Sequence, residues 1–375
     1  MKSIATALCL LVIGILPAHN FTLLTVRDAP YNAVGDGVTD DAAAIQRMID
    51  DSCPGHSRTV AVEQQFPVII PYSVSGNGHY MIGSPLNVTN CLGFAMGGIG
   101  SGMTYPVIQQ IPGTTMRNII DMTGSVSGFN LKTFIVYGPL SDGLPNPETA
   151  ILLAQSDITL HSGNFGSIDK VQWAGRFSKA GLATYGVCCS EGNMMGGTNA
   201  IMSAPNSYVW ALTDSNVPGF SSDFSNIATG SQGASGWKCS RCENHGFTGA
   251  STVSSKALLL EGTRGFLYEG GILAAANGYI IETKGNNFGV TLNTVMAYTD
   301  QGPPPGAYIG GTLGTLTNLD IVNMDVELAA GGVVVSVGGY NGSLIGGRLN
   351  AGGVVTNYNI CGMGSAPAVS GCHIP

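Results

Sequence analysis

The sequence predicts an all-β solenoid of stacked coils with one short helix near its N-terminal end, and three observations carry that prediction. From residue 257 to residue 351 the chain repeats blocks of twenty-odd residues, each a β-branched or Leu-rich run, a Gly, Asn or Thr turn, and a second run. Composition opposes helix: 55 glycines, only 10% charged residues, and Asn, Ser and Thr where Lys and Glu would sit. A single stretch, Ala42 to Asp50, combines good helix formers with apolar residues at helical spacing. Short runs broken by Gly or Asn suit coil strands, because both residues tolerate the left-handed backbone that corners require. A β-sandwich is the competing fold.

The elements follow in chain order. Lys2 precedes an apolar run from Ile4 to Leu16, closed by Pro17 and Ala18, which reads as a secretory signal peptide over residues 1–19. A retained membrane anchor is the competing reading, and no later segment approaches the ~20 apolar residues of a spanning helix. Residues 20–375 then form one domain, since a solenoid grows by adding repeats. From Arg27, Gly35 and Gly37 supply a tight turn, and Thr39 and Asp40 offer N-cap oxygens to the helix. This makes Asp36, Asp40 and Asp41 turn and cap residues rather than catalysts. The loops 140–148 and 302–306 protrude from coils without separating domains.

The stretch YNAVGDGVTDDAAAIQ (31–46) resembles the signature that opens domains of the pectate-lyase superfamily, found also in polygalacturonase-like hydrolases and phage tailspike proteins. FPVIIP (66–71), HYMIGSPLNV (79–88) and LGFAMGGIGSG (92–102) extend the likeness into the segments that build that family's first coils. The resemblance implies a right-handed, single-stranded parallel β-helix, a polysaccharide as partner and, for a tailspike-like chain, a homotrimer. It does not extend to the family's catalytic signatures. Of the four signatures of the hydrolases only His245-Gly246 is present, and the paired-Asp and Arg-x-Pro-x-x-Arg pattern of classical pectate lyases is absent.

Removing Cys9 with the leader leaves eight cysteines, which reads as disulfides in an exported protein, with Cys361 to Cys372 the most local pairing. A four-thiolate zinc site of Cys188, Cys189, Cys239 and Cys242 is the alternative. The net charge is −8 and no Lys/Arg cluster occurs, so nucleic acid is excluded as a partner. After removal of the leader no membrane partner is expected.

A densely packed solenoid leaves chemistry to its outward faces, assembled from neighbouring coils. In WKCSRCENHGF, Arg241, Glu243 and His245 alternate and should share one strand face. Laid on the next block, Glu243 stacks over Glu269 and Arg241 over Leu267. Two stacked carboxylates beside an Arg and a His would form an acid/base group, since their repulsion raises one pKa. Asp325 and Glu327, with Asp320 nearby, form a second acidic group whose oxygens could bind calcium. Asp223, Glu282 and Asp300 read as isolated. No cofactor is otherwise implied. The chain is thus expected to be a secreted lyase or glycoside hydrolase acting on an extracellular glycan, the alternative being a non-catalytic carbohydrate-binding or adhesive β-helix.

Overall fold

The computed structural model describes residues 23–374 apart from 58–59, 73–77, 101–103, 125–127, 142, 155–165, 187–191, 203–207, 215–221, 233–234, 242, 254–256, 276–278, 299–306, 312–313 and 364–372. Side chains are described outside 184–235, 242–245, 247–256 and 358–374. The leader, Cys188, Cys189, Cys242, Asp300 and Cys372 lie outside the described residues.

Each coil passes through three strand segments, and each segment pairs in parallel with its counterpart on the next coil. On the first face Val68–Pro71, Ala95–Ile99, Asn130–Lys132 and Ser167–Asp169 stack in order. The second face begins with His79–Ile82, Val107–Gln110, Ile135–Tyr137 and Gln172–Gly175. From Gly192–Met202 onward one long strand commonly runs through both faces, as in Arg264–Ala274 and Thr315–Leu328. The third face is a sheet of ten strands from Leu86–Asn87 to Val333–Ser336. A parallel ladder from the first coil to the strand Gly339–Ala351 excludes the sandwich, whose sheets are antiparallel.

Inside, like sits on like. Val68, Met96, Leu131 and Ile168 form one column on the first face, and after three coils it continues as Tyr268, Leu292, Ile321 and Leu344, all buried. Tyr80, Ile108, Val136 and Trp173 form another on the second face, each fully enclosed. With coils ~4.8 Å apart, every inward side chain packs on the ones above and below it.

Coil length varies more than the sequence blocks suggest. On the third face Leu86 pairs with Ile120, 34 positions later, whereas Trp237 pairs with Leu258, only 21 later. The corners use left-handed backbone at Asn318 (φ 54°) and Asn323 (φ 52°) as expected, but also at Thr133 (φ 60°) and Thr294 (φ 52°). A β-branched residue is strained there. Each threonine is held by its amide donating to the next coil, Thr133 to Asp169 O and Thr294 to Val322 O.

Both ends are closed. The helix Ala42–Ser52 turns Ala42, Ala44, Ile45, Met48 and Ile49 into the core. The carboxylate of Asp41 accepts the Val34 (2.6 Å) and Gly35 (2.9 Å) amides, and Asp40 Oδ1 accepts those of Ala42 and Gly83 (3.0 Å each). Asp36 Oδ1 closes its own turn on the Val38 and Thr39 amides. The three aspartates are therefore turn and cap residues, although Thr39 gives its hydroxyl to Asp36 instead of capping the helix. Arg27 lies over the Tyr80 ring, 5.5 Å from its centroid, and donates to its hydroxyl. At the other end Val354–Met363 pairs antiparallel with Gly339–Ala351, so the tail carrying Cys361 folds back over the last coil.

The cap helix is tied to the first coils by a disulfide, Cys53–Cys91, with Cα atoms 5.8 Å apart. Cys239 is also disulfide-bonded and buried, so it supplies no thiolate to a zinc ion and the four-cysteine metal site falls. Because Cys53 and Cys91 are 38 positions apart, replacing both with alanine should cost about 3–4 kcal/mol from the loop-closure term, read as a lower denaturant midpoint. An unchanged midpoint would show that the cap holds without the bond.

Candidate functional site

Arg241 does not lie on the strand that carries Glu243 and His245, as the alternation requires. Arg241 stands at the corner between Ser235–Ser240 and Glu243–Val253 in left-handed conformation (φ 54°), its amide donating to Glu261 O. Glu243 pairs with Arg264, not with Glu269, and Leu267 lies opposite Gly246, not Arg241. Glu269 lies opposite Thr248 and Asn293, five residues further along the strand than Arg264, or about 16 Å. The stacked carboxylate pair is absent because the coil from Trp237 to Leu258 is 21 positions long, not the 26 that would superpose Glu243 and Glu269. The backbone of His245 pairs with that of Phe266, which is buried. The side chains of Glu243 and His245 are outside those described.

What the first face does present outward, over the coils from Arg264 to Ile345, is a grid of three columns. Arg264, Phe288 and Thr317 form one; Leu267, Thr291, Asp320 and Ser343 the second; Glu269, Asn293, Val322 and Ile345 the third. The amide of Asn293 donates to Glu269 Oε1 (3.3 Å), and the Ser343 hydroxyl donates to Asp320 Oδ1. Two carboxylates, a carboxamide, hydroxyls, a guanidinium and an aromatic ring thus share one open surface. Such a set can hydrogen-bond hydroxyls and accept or deliver a proton.

On the second face Asp325 and Glu327 do share the outward side of Thr315–Leu328. Arg348, one coil on, donates to both oxygens of Asp325, Nε to Oδ1 at 3.0 Å and Nη2 to Oδ2 at 3.2 Å. That bidentate bond, with Glu327 nearby, raises the Arg348 pKa further. The guanidinium thus takes the side of Asp325 that a cation would need. Among the described residues no group of three or more His, Cys, Asp or Glu side chains could hold a metal ion.

The third face carries ladders that the sequence reading missed. Arg117, Glu148 and Lys179 stand 31 positions apart on three successive coils, Arg117 Nε donating at 3.0 Å and Lys179 Nζ at 2.7 Å to the same Glu148 oxygen. The Lys179 bond first, and Arg117 with it, holds the Glu148 carboxyl below its ordinary range. Glu261 accepts the Ser240 hydroxyl (2.6 Å) and lies 3.5 Å from Lys238, and these contacts depress its pKa in that order. Glu282 is not isolated, since Lys284 Nζ lies 3.8 Å away. A search for opposite charges at the coil offset would have found the first ladder.

Both depressed carboxylates stabilise the fold above the ordinary glutamate range, and that contribution is lost as pH falls through their lower folded values. Solvent screening limits it to about 1 kcal/mol per pair. Replacing Glu148 and Glu261 with glutamine should lower the melting temperature slightly at pH 7, and the gap should close near pH 3. A gap that persists in acid would mean that the carboxylates act by packing rather than charge.

Residues 25–141 match the family described as rhamnogalacturonase A/epimerase, pectate lyase-like. Among solved structures, ORF18 of Geobacillus virus E2 is similar at a TM-score of 0.51 and 12% identity, over 94% of this chain and 75% of that one. The enzymatically active domain of tailspike protein 2 from bacteriophage CBA120 gives 0.39 and 13%, over 78% and 40%. The A-module of the Azotobacter vinelandii mannuronan C-5 epimerase AlgE4 gives 0.33 and 13%, over 84% and 99%. No curated protein sequence matches the chain. At these identities the structural likeness bears on fold alone. With the described coils stacking in parallel from the first to the last, the chain is a right-handed parallel β-helix protein whose opening third matches a pectate-lyase-like family.

Proposed function

We propose that the chain is an exported protein that engages an extracellular polysaccharide along the outward side of its first face and cleaves it as a lyase or a hydrolase. The observation that carries this reading is the match of residues 25–141 to a family described by a rhamnogalacturonase and an epimerase. Two disulfide-bonded sites, Cys53–Cys91 and Cys239, support export. Glu269 is the acid or base, since it is outward, exposed and hydrogen-bonded to a single described side chain. Glu243 and His245 open the preceding strand of the same face, and Arg241 at the corner before them would meet the polymer as it leaves. If the reaction needs a cation, Asp325 and Glu327 would take calcium after Arg348 swings away.

A second reading is a non-catalytic carbohydrate-binding or adhesive β-helix, trimeric if it serves as an appendage. The pairing of Asp325 with Arg348 and the separation of Glu243 from Glu269 favour it, because neither leaves two carboxylates converging on one bond.

Incubation with a panel of acidic and neutral polysaccharides separates the outcomes. Lysis creates an unsaturated product that absorbs in the ultraviolet, whereas hydrolysis releases reducing ends without that absorbance. Glu269→Gln should lower the rate by roughly 10²–10⁴-fold with an unchanged melt, as expected for loss of a general acid or base on an outward position. Full turnover in that variant would remove Glu269 from the mechanism, and binding without turnover would establish the second reading.

A further inference from the structure

Phe288 is an exposed aromatic on a rigid strand. It is 51% exposed, the one aromatic ring among the exposed large apolar side chains of the described residues. Its backbone is fixed: its amide donates to Thr263 O at 2.9 Å, and the buried Asn287 beside it accepts the Thr263 amide and hydroxyl, both at 2.9 Å. Simple alternation from the buried Val290 and Leu292 would turn Phe288 inward. Gly289, in left-handed backbone at φ 66°, breaks the alternation and turns it out. Gly265 (φ 65°) and Asn318 (φ 54°) do the same on the neighbouring coils, and the residues thrown outward are Arg264, Phe288 and Thr317. Arg264 is exposed, and among the described residues nothing pairs with its guanidinium.

We infer that Phe288 and Arg264 form a subsite for one acidic pyranose unit of the bound polysaccharide, a reading that rests on the proposed glycan-facing role of this surface. The ring offers a flat apolar platform to the C–H face of a sugar, which is otherwise polar at its edge. The guanidinium, one coil spacing of ~4.8 Å away, reaches the edge of a sugar seated there and binds its anionic substituent. Overall charge sharpens the assignment. A chain of net charge −8 repels an acidic polymer, so a cation with no partner among the described residues, set beside an aromatic platform, fixes where the anionic group can sit. A protein partner fits less well, because in the flanking columns Leu267 is separated from Val322 and Ile345 by Thr291, Asp320 and Asn293, so no contiguous apolar patch spans the grid.

Affinity electrophoresis of the full chain through gels containing polygalacturonate, hyaluronan, dextran sulfate or neutral dextran tests the assignment, with Phe288→Ala and Arg264→Gln beside the parent and melts as fold controls. The parent should be retarded by at least one acidic polymer and not by dextran. Each substitution should weaken that retardation roughly tenfold, and Arg264→Gln should also flatten its salt dependence. The polymers that retard the chain tell carboxylate from sulfate as the anionic group. Unchanged retardation in both variants would overturn the subsite while leaving polysaccharide binding in place. Retardation by dextran equal to that by the acidic polymers, or unaffected by Arg264→Gln, would overturn the acidic class. No retardation by any polymer would overturn the subsite together with the function it rests on.

Discussion

Each inward side chain of this protein rests on the equivalent side chain of the coil below, and that contact sets the rest of the structure. The column from Val68 through Met96, Leu131 and Ile168, resumed by Tyr268, Leu292, Ile321 and Leu344, is repeated on the other faces. Parallel pairing keeps the columns aligned, since a shift of one residue would move a whole strand's apolar set to the surface. The same stacking leaves two open ends, where unsatisfied backbone would pair with any other strand. The helix Ala42–Ser52 and the antiparallel strand Val354–Met363 cover them.

Because the interior is filled, side chains free to meet a ligand stand in outward columns drawn from different coils. Neighbours in such a column are 21 to 37 positions apart in sequence. Charges that meet by this route form ladders, as with Arg117, Glu148 and Lys179, or Asp325 and Arg348. The first face is different, since its outward grid mixes Glu269 and Asp320 with Asn293, Phe288 and Arg264, whose guanidinium has no partner among the described residues. Few of its described groups are neutralised by one another, which leaves them open to solvent.

The fold was legible in the sequence where its causes are local. Asp36, Asp40 and Asp41 close turns and cap a helix within a few residues, and the blocks after residue 257 repeat with little insertion. Register was not legible. A coil of 21 positions between Trp237 and Leu258 moves Glu243 from Glu269 to Arg264, and nothing in the local sequence marks that short coil. Phe288 escaped for a related reason: alternation reads it as core, and only the positive φ of Gly289 turns it outward. The outward carboxylate at Glu269 could be named from alternation within one strand, but its partner Asn293 required the offset to the next.

The inside/outside assignment is tested most directly by two adjacent substitutions on the strand Asn287–Asn293. Leu292 belongs to the inward column between Tyr268 and Ile321, whereas Thr291 faces outward between Leu267 and Asp320. Chemical denaturation of Leu292→Ala should show a loss of about 2–5 kcal/mol, the cost of a cavity in a stacked core, while Thr291→Ala should stay within about 0.5 kcal/mol of the parent. Equal effects, or a larger loss at Thr291, would contradict the register on which the columns depend.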